Sequence, residues 1–367
     1  MAISLGLRNL WFKDKLSNRF RKPVTLWSGM TTIADIAKAA GVSEATVSRV
    51  LNERAEGVGA ETRKRVKGII EQLQFEPCGV ARGLATGKSR SIGLVIPDVA
   101  DPFFPLLIRG IEDALRCQGY GLFLCDSDRD FRKEQENVRM LLEKRVDGVI
   151  LNSTLSDCDA QLDLLEKRAV PYVLLDRIIE LRPLGAGVYV DNWMGARMAT
   201  ELLLDGGARR LLFINGPEQL SVCKQRRKGV EDACRDRGGA PVTILVGSGD
   251  YSVESGERVT DALLGDPGGK PPFDAIFAAN DRMAIGAMRA VKRHGLRIPD
   301  QIEVVGFDDV EPARLVEPPL TTIAQPGFEM GRRSAELLLR LIAGEKPRKR
   351  IIVMEPALVV RGTTRPR

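Results

Sequence analysis

Short apolar runs alternate with helical segments from residue 91 onward, and this alternation restricts the fold more than any other feature of the chain. SIGLVIP (91–97), YGLFLCD (120–126), DGVILN (147–152) and PYVLLD (171–176) are rich in Val, Ile and Leu, as parallel strands buried on both faces require. Helices are predicted between them, around 103–118, 132–145 and 157–168. A second series follows: RLLFING (210–216), VTILVG (242–247), DAIFAAN (274–280) and EVVGFDD (303–309), with helices at about 192–204, 223–237, 254–264 and 281–294. Two sets of βα units of similar length predict two doubly wound α/β lobes. A last helix over 327–342 and the runs IIVM and ALVV are expected to cross back between them. The expected boundaries within 91–362 are 91–189 plus 327–354 for the first lobe and 190–324 plus 355–362 for the second.

In such sheets ligands bind beyond the carboxyl ends of the strands, here in the cleft between the lobes. Polar and aromatic residues collect at those ends. Phe103 and Phe104 follow the first strand in DVADPFF, and Asp176 ends the fourth. Arg226 lies in the first turns of the helix after RLLFINGP, and Tyr251 follows VTILVG. Asn280 and Asp281 close DAIFAAND, and Asp308 closes EVVGFDD. Aromatic faces stack on a flat or sugar ring, while Arg, Asn and Asp bind hydroxyls or ring nitrogens. Asp281 also reads as a helix N-cap and Asp308 as a turn residue, so each has a structural alternative.

Upstream, TTIADIAKAAGVSEATVSRVLN (31–52) holds two apolar stripes at helical period, Ile33, Ile36 and Ala37 in one, Val47, Val50 and Leu51 in the other. Gly41 between them can take the left-handed conformation that ends a helix, and Ser43 can cap the next near Thr46. Two short helices joined by a tight glycine turn form a helix-turn-helix, whose second helix enters a DNA major groove. Its outward face carries Ser43, Glu44, Ala45, Thr46, Ser48, Arg49 and Asn52. A third helix is expected over 60–75, with Val66, Ile69, Ile70 and Leu73 facing inward. Charge supports the reading. Residues 1–90 hold 16 Lys and Arg against 8 Asp and Glu, a surplus of +8, while the rest of the chain is at −2.

The run A-x-x-A-G-V-S-x-A-T-V-S-R-V-L-N, followed by ETRKRV (61–66), resembles the lactose-repressor (LacI/GalR) family of bacterial regulators. The resemblance covers residues 31 to about 362 and implies a small all-α DNA-binding domain (31–76), a hinge helix (77–90) and a two-lobed α/β sensor similar to periplasmic sugar-binding proteins. It implies that a dimer reads a near-palindromic operator, most often as a repressor. Thr32, Ser43, Thr46, Ser48 and Asn52 would contact phosphates, and Glu44, Ala45 and Arg49 would read bases. Pro77, Ala81, Arg82 and Leu84 match the hinge pattern P-x-x-x-A-R-x-L, with Leu84 as a wedge in the minor groove. Cys78 stands where the family usually has a small polar residue, which leaves a cap there unsupported. Jointly the polar residues of the cleft match the family's effector pocket. Its members bind mostly sugars and sometimes nucleobases, with no cofactor, and this pocket suits either.

Residues 1–30 form a basic extension, expected to be disordered or, up to residue 29, untranslated, since Met30 stands where family members commonly start. Other classes find little support. Six cysteines without C-x-x-C spacing fit a reduced, cytoplasmic chain with no signal peptide or membrane span. A single histidine, His294, argues against metal sites and Ser-His-Asp chemistry. Gly83–Ser89 resembles a P-loop, but has three residues between its glycines instead of four and precedes a strand instead of following one. Adjacent Asp308 and Asp309 point to opposite sides and cannot flank one bond. An exported sugar-binding protein would have a leader and no helix-turn-helix. This reading therefore takes the chain as no enzyme.

Overall fold

The computed structural model describes residues 31–51, 57–75, 87–153, 159–176, 185–265 and 271–366. The expected N-terminal extension, Asn52 and the hinge positions Arg82 and Leu84 lie outside them. The chain divides into two compact units, Met1–Arg82 and Gly83–Arg367.

In the first unit, α1 (Ile33–Ala40), α2 (Glu44–Leu51) and α3 (Ala60–Gln72) enclose a small core of Ile36, Ala37, Ala40, Val47, Val50 and Val66. Gly41 ends α1 with φ of 63°, the left-handed conformation that only glycine adopts without a steric cost. Thr32 and Asp35 cap α1 reciprocally: the Asp35 amide donates to Thr32 Oγ1 (3.2 Å) and the Thr32 amide to Asp35 Oδ2 (2.8 Å). Ser43 caps α2 as expected, its Oγ accepting the Thr46 amide at 3.2 Å. The expectation for Leu73 fails. It lies past the end of α3 and is exposed, while Phe75 folds back against the core.

The second unit holds two six-stranded sheets. The first runs β11-β5-β4-β3-β1-β2, all parallel, from β1 (Ser91–Ile96), β2 (Gly121–Asp126), β3 (Gly148–Leu151), β4 (Tyr172–Leu175), β5 (Gly185–Val190) and β11 (Ile351–Met354). Its helices are α4 (Phe104–Arg116), α5 (Phe131–Glu143), α6 (Asp159–Lys167) and α12 (Gly327–Ile342). The second sheet runs β12-β10-β9-β8-β6-β7, from β6 (Arg210–Asn215), β7 (Thr243–Ser248), β8 (Ala275–Ala278), β9 (Glu303–Asp308), β10 (Thr321–Ala324) and β12 (Ala357–Val359), with only β12 antiparallel. Around it pack α7 (Asn192–Asp205), α8 (Ser221–Asp236), α9 (Val253–Leu264), α10 (Asp281–Arg293) and the short α11 (Glu311–Leu315).

Each sheet carries a core of Val, Ile, Leu and Phe on both faces, as crossover helices on both sides demand. β2 and β7 depart from the expectation of burial. They are the outer edges of their sheets, so Phe123, Leu124 and Val246 remain exposed. Two strands without a strong apolar signal, β5 and β10, complete the sheets beside the crossovers. The chain crosses between the lobes three times, at Asp191, at Gln325–Pro326 and at Glu355–Pro356.

Candidate functional site

The cleft contains a cavity lined from both sheets at the carboxyl ends of their strands. The first lobe supplies Asp101, Phe103, Phe104, Arg129, Asn152, Ser153 and Asp176; the second supplies Arg226, Tyr251, Asn280 and Asp308, and Gln325 comes from a crossover. Seven of the eight residues expected here therefore meet in one place. Phe103 and Phe104 sit edge to face, with centroids 5.3 Å apart.

Arg226, though charged, is buried. Its guanidinium lies 3.7 Å over the Phe307 ring, Nε donates to Asn192 Oδ1 at 2.8 Å, and Nη1 donates to the Ala279 carbonyl. This clamp fixes its direction toward the cavity. Asp308 lies opposite, accepting from Gln325 Nε2 at 2.7 Å. Burial pushes its carboxyl well above the usual carboxylate range, against the opposing pull of Arg226. Tyr251 donates to or accepts from Cys223 Sγ at 2.8 Å, and burial raises its hydroxyl as well. Asp176, Tyr251, Asp308 and Arg129 all hold positive φ (56°, 70°, 117° and 56°), a concentration of unfavourable backbone that marks functional clefts.

Asp281 does not line the cavity. It is fully buried, accepts the Val310 amide at 2.9 Å and the Thr322 hydroxyl at 2.5 Å, and ties α10 to the loop after β9 and to β10. Nor is it the N-cap. Asn280 is, with Oδ1 accepting the Met283 amide at 2.9 Å, while its Nδ2 donates to the Tyr251 carbonyl at 3.2 Å. Both polar atoms of Asn280 are thus engaged within the protein. Sequence reasoning missed Asp101, Arg129, Asn152, Ser153 and Gln325. Asn152 and Ser153 follow β3 directly, so the rule that ligands meet strand carboxyl ends had already reached their position.

In the first unit, Glu44, Ala45 and Arg49 project to solvent from α2, as do Thr32 and Ser43; Thr46 and Ser48 are half-buried. Thr32 and Ser43 spend their hydroxyls on caps, with Thr32 Oγ1 donating to Asp35 (2.6 Å) and Ser43 Oγ 2.9 Å from Thr46 Oγ1. His294 closes α10 and meets Asp261 at 3.1 Å, remote from the cavity lining. Asp309 is held by Arg314 and Arg361 and faces away from Asp308, so no carboxylate pair forms.

Residues 32–78 match the bacterial regulatory proteins of the lacI family, and residues 200–364 match a periplasmic binding protein-like domain. The ribose operon repressor of Halalkalibacterium halodurans is 39% identical over 338 residues, covering 92% of this chain and 98% of that protein. The chain belongs to the lacI family. Among further relatives, the transcriptional repressor PurR of Aliivibrio fischeri is 36% identical over 91% of this chain and 98% of its own length. The solved lac repressor dimer bound to operator and an anti-inducer aligns with a TM-score of 0.80 at 32% identity, over 91% of this chain and 99% of that one. A family regulator from Enterococcus faecium with bound ribose aligns with a TM-score of 0.67 at 28% identity, over 75% and 98%. This lacI-family chain is accordingly a DNA-binding transcriptional regulator of repressor type, not an enzyme. Among its described residues no helix is long and apolar enough to cross a membrane.

Proposed function

We propose that the chain is a dimeric, cytoplasmic repressor whose grip on a near-palindromic operator is set by a neutral monosaccharide in the cleft, ribose being the first to test. The observation that carries this reading is the charge of the cavity. Asp101, Asp176 and Asp308 line it together with Arg129 and Arg226, and both arginines already have partners within the protein. Arg129 is already paired with Asp101 and Arg226 is held by Asn192 and the Ala279 carbonyl, so a phosphate would have to displace those contacts while facing the carboxyl groups of Asp176 and Asp308, whereas sugar hydroxyls donate to carboxylates and accept from guanidinium. The aromatic pair Phe103 and Phe104 offers the apolar wall on which a sugar ring rests. The 39% identical relative named as a ribose operon repressor points the same way. A nucleobase is the second reading, favoured by the aromatic pair Phe103 and Phe104, on which a flat ring can stack.

No cofactor enters this account: the effector is the only small molecule it requires. In the DNA-binding unit, Glu44, Ala45 and Arg49 read bases, while Thr32, Ser43, Thr46, Ser48 and Asn52 set register on phosphates, joined at the hinge by Arg82 and Leu84. A thermal-shift screen of the full chain against ribose, other pentoses, sugar phosphates, nucleosides and purines tests the effector class. Ligand at a hundredfold excess over Kd stabilises the native state by about 2.7 kcal/mol. A ribose shift that disappears in Arg226→Ala and Asp308→Ala supports the reading. A shift with sugar phosphates alone contradicts it.

A further inference from the structure

We infer that the end of the first lobe remote from the cleft is a second DNA-contacting surface, one that engages backbone phosphates flanking the recognition sequence. The inference rests on the DNA-binding reading above and goes beyond its helix-turn-helix and hinge.

In a parallel sheet every segment that leads into a strand emerges at one end. In the first lobe these segments are basic. Lys88 and Arg90 precede β1, Lys144 and Arg145 precede β3, and Lys167 and Arg168 end or follow the helix leading to β4. Lys346, Arg348 and Lys349 precede β11 on the same end. All nine are exposed. The acidic groups nearby do not offset them. Asp147 is occupied by the amides of Ser89 and Arg90, Glu345 is held by Arg340 at 2.7 Å, and Glu143 is exposed. The opposite end, at the cleft, is mixed and paired: Asp98, Asp101, Asp126, Asp128 and Asp130 lie at or after the ends of β1 and β2 among Arg129, Arg132 and Lys133, with Arg129 on Asp98 and Asp101 and Lys133 on Asp128. Basic charge therefore gathers at one end of a single lobe.

A cation after a helix complements its C-terminal dipole, which accounts for one such residue per helix. The second lobe shows what that alone looks like. Three of its cations at the matching helix ends are neutralised, Arg235 by Asp232, Arg237 by Asp205 and Arg293 by Asp261, while Lys292 donates to the Glu317 carbonyl. In the first lobe, Lys144, Arg145, Lys167, Arg168 and Lys346 make no ion pair among the described residues. Unpaired, exposed and clustered cations suit a polyanion with regularly spaced charges, as duplex DNA is.

The chain itself supplies the occupant. The segment from the DNA-reading unit enters this lobe at Gly87, beside Lys88. Between Phe75 and Gly87 lie twelve peptide steps, which reach at most about 40 Å when fully extended. The duplex held by the recognition helix and the basic end are therefore tethered to one another through the same short stretch of chain. Contacts of this kind add affinity and salt dependence without adding sequence preference.

The test is the salt dependence of binding by the full chain to a random-sequence 60-bp duplex, for wild type and for Lys144→Gln/Arg145→Gln/Lys167→Gln/Arg168→Gln. Each phosphate contact contributes about −0.9 to the slope of log K against log salt. The slope of the quadruple variant is expected to be shallower by about 2 or more. Wild type then loses on the order of tenfold more affinity than the variant between 50 and 200 mM salt. Arg132→Gln/Arg139→Gln, two exposed arginines elsewhere on the lobe, keeps the wild-type slope, and equal melting temperatures show that all three proteins are folded. Identical slopes for wild type and the quadruple variant overturn the inference and leave the basic end to an acidic protein partner. A wild type that binds no duplex even at 50 mM salt overturns the DNA-binding reading itself, and the inference with it.

Discussion

Arg49 is the only cation on the exposed face of α2, set among Glu44, Ala45 and Ser48. A guanidinium there suits guanine O6 and N7, so Arg49→Ala is expected to cost about 1–3 kcal/mol on the preferred operator and to relax preference at one base pair. Binding to a panel of single-base operator variants checks this; an equal loss on every variant contradicts base reading. Asp281 makes a different kind of claim. Burial, with Asp309 nearby, raises its carboxyl to about 7, so the folded chain keeps a proton that the unfolded chain releases near pH 4. The stability it contributes is present below that pH and is lost as pH rises toward 7. The melting temperature of wild type minus that of Asp281→Asn should fall between pH 4 and 7, and a constant difference would contradict the assignment. The Asn280–Asp281 pair also shows where sequence stops being legible. Both residues are short and polar at a strand end, and both can cap a helix. Only the backbone shows that Asn280 caps and lines the cavity while Asp281 turns inward to Thr322 and Val310.

At the scale of elements, the helix pair α4 and α12 is set by glycine. A Cβ on Gly110 would stand 2.0 Å from the Phe328 carbonyl oxygen, and one on Gly331 would stand 2.0 Å from that of Leu107. The two backbones meet where no side chain fits. Gly110→Ala must therefore part the helices, at a cost of about 2 kcal/mol or more, read as a lower denaturant midpoint at unchanged slope. A midpoint equal to wild type would show that the pair adapts. Strand and helix order was legible because strands write a continuous apolar run, and ten of the twelve described strands carry one. β5, as GAGVYV, and β10, as TTIA, lack it: small residues and threonine fit beside the crossovers, where neighbouring chain supplies the burial. The exposed edges β2 and β7 carry the same apolar letters as buried strands, so composition could not separate edge from centre.

Across the whole molecule, the lobes are joined by charge as well as by crossovers. Arg282 of the second lobe reaches Asp98 at 3.4 Å and Asp101 at 3.5 Å in the first. Arg129 of the first meets the same two aspartates and donates to the Asp250 carbonyl across the cleft. These contacts hold the lobes together beside the cavity, so Arg282→Ala is expected to weaken effector binding by about fivefold or more, measured calorimetrically. An unchanged affinity would mean that the lobes close without it. Linkage makes the same closure act on DNA: a ligand that prefers one arrangement of the lobes changes operator affinity by the ratio of its affinities for the two. The most direct measurement is the Kd for an operator selected from random duplexes, taken with and without saturating ribose at one fixed salt concentration. Binding is expected to be at least about a thousandfold tighter than to random duplex, and to shift about fivefold or more on adding ribose. Equal affinity for selected and random DNA, or an operator affinity that no sugar or nucleobase alters, would contradict this expectation.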